Sequence, residues 1–150
     1  MAYQARRHRQ FEEDLELLDK DGMTAHIIHV KLDADDVVVK LNRKYAAFTR
    51  TLAETTALRQ KAQTNEEIEQ CFRALGGAVT DLFEAVFGED DAKTVIDFYE
   101  GRYVEMIKEI VPFITKCVIP RCIEIKKENE QSILQSYNRK QRRTLLKRVR

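Results

Sequence analysis

Three histidines, three cysteines and several runs of carboxylates are the side chains of this sequence from which reaction chemistry could be built. His26 and His29 lie three positions apart. On a helix that spacing puts both imidazoles on one face and lets them share a metal; on a strand it points them to opposite faces. The residues around them alternate like a strand, so no metal pair is expected. His8 sits among Arg6, Arg7 and Arg9, where an added cation would be repelled. All three histidines read as solvated side chains. Cys117 and Cys122 lack the CxxC spacing that lets two thiolates hold zinc, and no second cysteine or histidine pair completes a tetrahedral set. Cys71 and Cys117 fall on helical stripes and read as small buried hydrophobes. Cys122 follows Arg121, the kind of cationic neighbour that lowers a thiol pKa, but no histidine is near it in sequence to act as a base.

The acidic clusters Glu12 to Asp14, Asp33 to Asp36 and Glu89 to Asp91 resemble paired catalytic carboxylates only superficially. The last two stand where helices begin, and favourable interaction with the helix dipole accounts for them. None has the DxDxDG spacing of a calcium loop, and no GxSxG nucleophile signature is present. Gly76-Gly77 carries neither GxxxxGK nor GxGxxG around it, so it reads as a point of close helix approach rather than a phosphate loop. With three histidines and no tryptophan, little is left from which to assemble an active site. The reading is of a non-enzyme without catalytic residues, metal or cofactor.

The elements that would position any such residues are legible from periodicity. Phe11, Leu15 and Leu17 alternate with acids, and Ile28, Val30 and Leu32 alternate with His29, Lys31 and Asp33. That predicts two half-buried strands joined through Asp19-Lys20-Asp21-Gly22, where glycine takes the positive φ of a tight turn. At Asp33 the period changes. Asp33 caps a helix whose stripe is Val37, Val38, Leu41, Tyr45, Phe48 and Leu52, running to about Ala62 with Arg43, Lys44, Arg50 and Arg59 in solvent. Thr64-Asn65-Glu66-Glu67 is a capping box opening a second helix, and Gly88, in the left-handed conformation, closes it. A short third helix carries Val95, Ile96, Phe98 and Tyr99. A long fourth segment carries Tyr103, Ile107, Ile110, Val111, Ile114 and Val118 and is interrupted by Pro112 and Pro120, near each of which a bend or break is expected. Beyond Arg121 only Ile123, Ile125, Ile133, Leu134 and Tyr137 are apolar, so the helix continues over the body or out from it. The fold class is mainly α: an N-terminal β-hairpin followed by a bundle of about four helices, the last long and proline-interrupted.

The chain has 150 residues, 43% hydrophobic and 34% charged, which suits one domain. It divides into a basic N-terminal arm (1–10), the hairpin (11–33), a helical body (34–136) and a basic C-terminal tail (137–150). No apolar run approaches the roughly 20 residues of a membrane span. The odd cysteine count and the absence of an apolar signal core point to reduced thiols and a cytoplasmic location. Charge is unevenly spread. Residues 137–150 include Arg139, Lys140, Arg142, Arg143, Lys147, Arg148 and Arg150 with no acid, a charge of +7; since the whole chain carries +1, the remainder carries −6. Such a tail could neutralise phosphates, but Tyr137 is its only aromatic for stacking, and a basic helix also fits an acidic protein surface, including that of a neighbouring copy.

The second helix has an apolar set, Ile68, Cys71, Phe72, Leu75, Val79, Leu82, Phe83, Val86 and Phe87, wider than one stripe. Two arrangements fit it. Either Phe83, Val86 and Phe87 are left uncovered and form part of a groove for an amphipathic partner or a second copy, or the whole set packs against Tyr45, Phe48, Ile96 and Ile107 in one core.

The strand HIIHVKLD, the capped helix DADDVVVKLNRKYAAFTRTLAE, the block DLFEAVFGEDDAKTVIDFYEGRYVEMIKEIVPFITKCVIPRC and the close NRKQRR together resemble the tail assembly chaperones of long-tailed phages and prophages of Gram-positive bacteria. The resemblance spans residue 11 to the end and lies in the order of elements and the texture from FGEDDA to VPFI, not in an invariant chemical motif. It implies a small, mainly helical cytoplasmic protein that self-associates, coats the long tape measure protein, helps recruit the major tail protein and is absent from the finished virion. It supplies no catalytic positions. The rival reading is a nucleic-acid-binding phage protein using the basic tail.

Overall fold

A computed structural model describes the backbone of residues 2–7 and 9–149, and the side chains of all of these except Asp36 and residues 138–149. It shows a mainly helical chain led by a hairpin. Strands β1 (Phe11–Leu18) and β2 (Thr24–Leu32) pair antiparallel, with Phe11 opposite Leu32, Leu15 opposite Ile28 and Leu17 opposite His26. The inward row Phe11, Leu17, Ile28, Val30 and Leu32 is buried, as alternation demands when one sheet face is covered. In the turn, Gly22 has φ 82°, and its N–H donates to the Asp19 carbonyl at 3.0 Å. The Asp19 carboxylate accepts from the N–H groups of Asp21 (2.9 Å) and Met23 (3.0 Å), so one side chain satisfies two loop donors.

Helix α1 (Ala34–Lys61) begins where Asp33 accepts from the Asp35 N–H at 3.1 Å. Val38, Leu41 and Phe48 on its stripe are buried, and Val37, Tyr45 and Leu52 are half-buried. Helix α2 (Asn65–Phe87) is capped by Thr64, whose hydroxyl accepts from the Glu67 N–H at 3.2 Å. The box closes differently from the expected pattern: the Glu67 carboxylate accepts from Gln63, one residue before the cap, at 3.1 Å. Gly88 ends α2 and starts α3 (Glu89–Phe98), with φ 84° and ψ 169°. This is not the left-handed helical conformation expected there but an extended one on the positive-φ side, accessible in practice to glycine alone; it turns the chain sharply enough for two helices to meet at one residue.

The interruption expected near Pro112 and Pro120 takes the form of a change of helix type between them, and neither proline ends the helix. Helix α4 (Tyr103–Phe113) passes through Pro112 into a π-helical turn (Ile114–Val118) and on into α5 (Ile119–Val149), one continuous rod. In the wide turn the Ile119 N–H bonds the Ile114 carbonyl, five residues back. Because a proline lacks the N–H and its ring crowds the carbonyl four residues earlier, a slip in register just before Pro120 relieves the clash without ending the helix. The backbone also crosses residue 137 without interruption, so body and tail differ in charge and not in secondary structure.

One end of the rod packs near the hairpin turn, where Glu105, Lys108 and Ile110 lie by Leu17 and Leu18, and its middle lies at the hairpin's open end, where Arg121 and Ile125 neighbour Phe11. The rod therefore runs antiparallel to β1. It is antiparallel to α1 as well, with Val104 and Ile107 beside Leu52 and Arg59. The core lies between hairpin, α1, α2 and rod; Val79, Leu82, Phe83, Met106, Ile114, Val118 and Cys122 are fully sealed in it. Past Ile125 the rod leaves the body, and residues 131–137 are all exposed.

Candidate interaction surfaces

The end of α2 proposed from sequence as a partner surface is core. Phe83 is 0% exposed, Val86 2% and Phe87 9%. The Phe87 ring meets Phe83 edge-on at 5.8 Å and stacks on Phe113 at 6.3 Å with 10° between planes. The breadth of the α2 apolar set thus reflects packing on several sides by α1, α3, the hairpin and the rod. Of the two arrangements that breadth permitted, the single core is the one formed, and these three side chains offer a partner nothing in this conformation.

Apolar surface is exposed at the opposite end of α2. A groove of about 160 Å3 is lined by Leu52, Thr55 and Arg59 of α1, Cys71, Phe72 and Leu75 of α2, and Val104 and Ile107 of α4. Phe72 is 38% exposed and Val104 61%. The Arg59 guanidinium, expected in open solvent, covers the Phe72 ring at 5.1 Å from its centroid, a cation–π contact that leaves the charge hydrated. Thr55 is buried in the floor, its hydroxyl donating to the Thr51 carbonyl at 2.7 Å. Val104 stands outside the stripe headed by Tyr103, and its spacing of three to Ile107 is the sequence signal that it shares a face with the groove. A second exposed apolar pair, Ile133 and Leu134, lies on the projecting part of α5.

The candidate chemical groups are dispersed. His26 and His29 occupy opposite faces of β2: His26 meets the Phe98 ring edge-on at 6.0 Å, while His29 Nδ1 lies 2.5 Å from the Asp14 carboxylate on the outer face. His8 lies outside the described residues. Cys71 and Cys122 are buried and Cys117 is half-buried. The expectation that Arg121 lowers the Cys122 pKa is overturned, because the Arg121 guanidinium donates to Glu124 at 2.6 Å while the Cys122 thiol faces the core. Burial, reinforced by Cys117, pushes that thiol up to about 11. Burial, and then the carboxylate of Glu13, also raises Cys117. Among the described residues no group of three or more histidine, cysteine or acidic side chains is placed to hold a metal ion, and no helix is long and apolar enough to cross a membrane. The side chains of Arg139, Lys140, Arg142, Arg143, Lys147 and Arg148 lie outside the described residues; the helix backbone that carries them is described to Val149.

Comparison of the chain with protein-family models, with curated proteins and with solved structures yields no match in any of the three. What the arrangement offers is surface: apolar area left for burial at the groove and on α5, on a chain whose last fourteen residues carry +7 against −6 on the remainder.

Proposed function

We propose that this protein is a non-enzymatic tail assembly chaperone that self-associates and holds the tape measure protein during phage tail morphogenesis in the host cytoplasm, with the major tail protein as a further partner. The observation that carries the reading is the open groove between α1, α2 and α4, where Phe72 and Val104 stay exposed beside the buried Leu75. A holder of long amphipathic helices needs apolar surface that its own fold leaves uncovered, and a groove flanked by helices accepts an apolar anchor of a partner helix. The resemblance of the sequence to such chaperones over residue 11 to the end supports the same reading.

Co-expression with the product of the gene immediately downstream tests it. The expected result is that a long, helical, otherwise insoluble protein becomes soluble and co-purifies, and that Val104→Asp, at an exposed position, abolishes co-purification without changing the circular dichroism. A downstream product that is soluble alone and never co-purifies overturns the reading.

The excess of seven basic residues and no acid in 137–150 favours a second reading, binding of nucleic acid. Titration with duplex and single-stranded DNA separates the two, because phosphate contacts weaken steeply with salt whereas apolar docking does not.

A further inference from the structure

We propose that copies of this chain associate head to tail, the basic C-terminal helix of one copy seated in an acidic cleft at the hairpin-turn end of the next. The cleft, of about 590 Å3, is formed by the end of β1, the end of α3 and the start of α4. Leu15, Leu18 and Phe98 give it an apolar floor, and Leu18 is half exposed. Among the described residues Glu16, Glu105 and Glu109, which line it, make no salt bridge; Glu100 pairs with Arg102, the Asp19 carboxylate is used within the turn, and Lys20 and Lys108 share the edge. Negative potential reaches into the cleft: after burial, the carboxylates of Glu109 and Glu105 are what hold the Tyr99 phenol above its ordinary pKa.

Two observations fix the occupant as a second copy of the chain. The first is charge complementarity: residues 137–150 carry +7 against −6 on the rest, so tails repel one another and are drawn to bodies. The second is reach. Because the rod runs antiparallel to β1, α5 exits at the hairpin's open end and points away from the cleft at the turn. At 1.5 Å per residue, the stretch from Ile125 to Val149 extends roughly 36 Å farther from it. A continuous helix cannot bring the tail back to its own cleft, yet the same geometry presents it to another molecule. Such a contact joins two different surfaces, so it either closes by reciprocal exchange of tails between two antiparallel copies or propagates into rings or open assemblies. The inference rests on the self-association in the proposed function but not on its cargo.

Light scattering coupled to size exclusion, on the full chain alone, tests it. Wild type is expected to form dimers or larger assemblies at low ionic strength and to approach monomer as salt is raised. Glu16→Lys/Glu105→Lys/Glu109→Lys and, separately, Arg139→Glu/Arg142→Glu/Arg143→Glu/Lys147→Glu should each be monomeric with wild-type circular dichroism. Mixing the two reversed chains should restore assembly, because each tail then meets a cleft of opposite sign. The isosteric Glu105→Gln/Glu109→Gln, which leaves packing intact, should weaken association about tenfold. A wild type that stays monomeric at low salt, with or without binding duplex DNA, overturns both the contact and the self-association it rests on. Assemblies that persist unchanged in both reversed chains, or a mixture that stays monomeric, overturn the contact alone and leave the co-expression result to judge the chaperone reading.

Discussion

The ring of Tyr103, at the first residue of α4, lies directly over the backbone of Gly76 in the middle of α2: a Cβ at Gly76 would come within 2.6 Å of the ring. A Cβ on the adjacent Gly77 would meet nothing within 4 Å. Of two neighbouring glycines that look alike in sequence, only Gly76 therefore has a packing reason to lack a side chain. Gly77→Ala is expected to raise stability by about 1 kcal/mol through helix propensity alone, a shift of roughly 2–4 °C in Tm. Gly76→Ala should fall short of that by about 1–3 kcal/mol, because the half-buried tyrosine must move. Tyr103→Ala should erase the difference between the two alanine variants in thermal melts; equal effects of both substitutions in the wild-type background would contradict the contact.

Phe87 stacks on Phe113 inside the core, so Phe87→Glu is expected to unfold the protein rather than to weaken an association. Phe83→Ala should cost about 3–5 kcal/mol in urea denaturation, the range for deleting a buried aromatic ring. A folded Phe87→Glu variant that had merely lost a partner would return this end of α2 to the surface.

With its thiol sealed and raised to about 11, Cys122 should not react with Ellman's reagent at pH 8 until the chain unfolds. Cys122→Ser should leave the native-state labelling count unchanged. The same shift fixes a pH dependence. In the unfolded chain this thiol ionises near 9, whereas in the fold it stays protonated to about 11, so between these values the unfolded state has lost a proton that the native state keeps. Stability should therefore fall as pH rises through that window. The raised Tyr99 acts in the same sense. A denaturation midpoint that held or rose from pH 9 to 11 would contradict the burial of these groups.

Thr64→Ala should destabilise by about 1 kcal/mol, since the hydroxyl serves the Glu67 N–H. Glu67→Gln should be milder, because the amide oxygen still accepts from Gln63. Urea midpoints at constant m-value read both.

Residues 131–136 of α5 are exposed, and helices with little tertiary packing are marginal in water. Their amides should exchange with solvent far faster at high salt than those of residues 106–118, whose side chains seal the core. Uniform protection along the rod would show that the projecting part is held by contacts within the chain.

Most features encoded by neighbours in the chain were legible, the conformation of Gly88 and the closing bond of the Thr64 box excepted. The alternation of Phe11, Leu15 and Leu17 against Ile28, Val30 and Leu32 set both the strands and their buried face. Asp33 and Thr64 marked helix starts to the residue, and the +7 of the last fourteen positions needed only counting. These signals depend on backbone donors and side-chain periods a few residues apart. What lies over a face depends on residues far away. The α2 period could say that Phe83, Val86 and Phe87 share a side, but not that Phe113 covers it while Phe72, on the same helix, stays open. The prolines foretold strain at residues 112 and 120; that the strain goes into a wide turn rather than ending the helix goes with the burial of Ile110, Ile114, Val118 and Cys122 on both sides of it, which no local pattern names. Cys122 shows the same division, its sequence neighbour Arg121 turning away to Glu124 while core atoms that no local pattern names decide the thiol's environment.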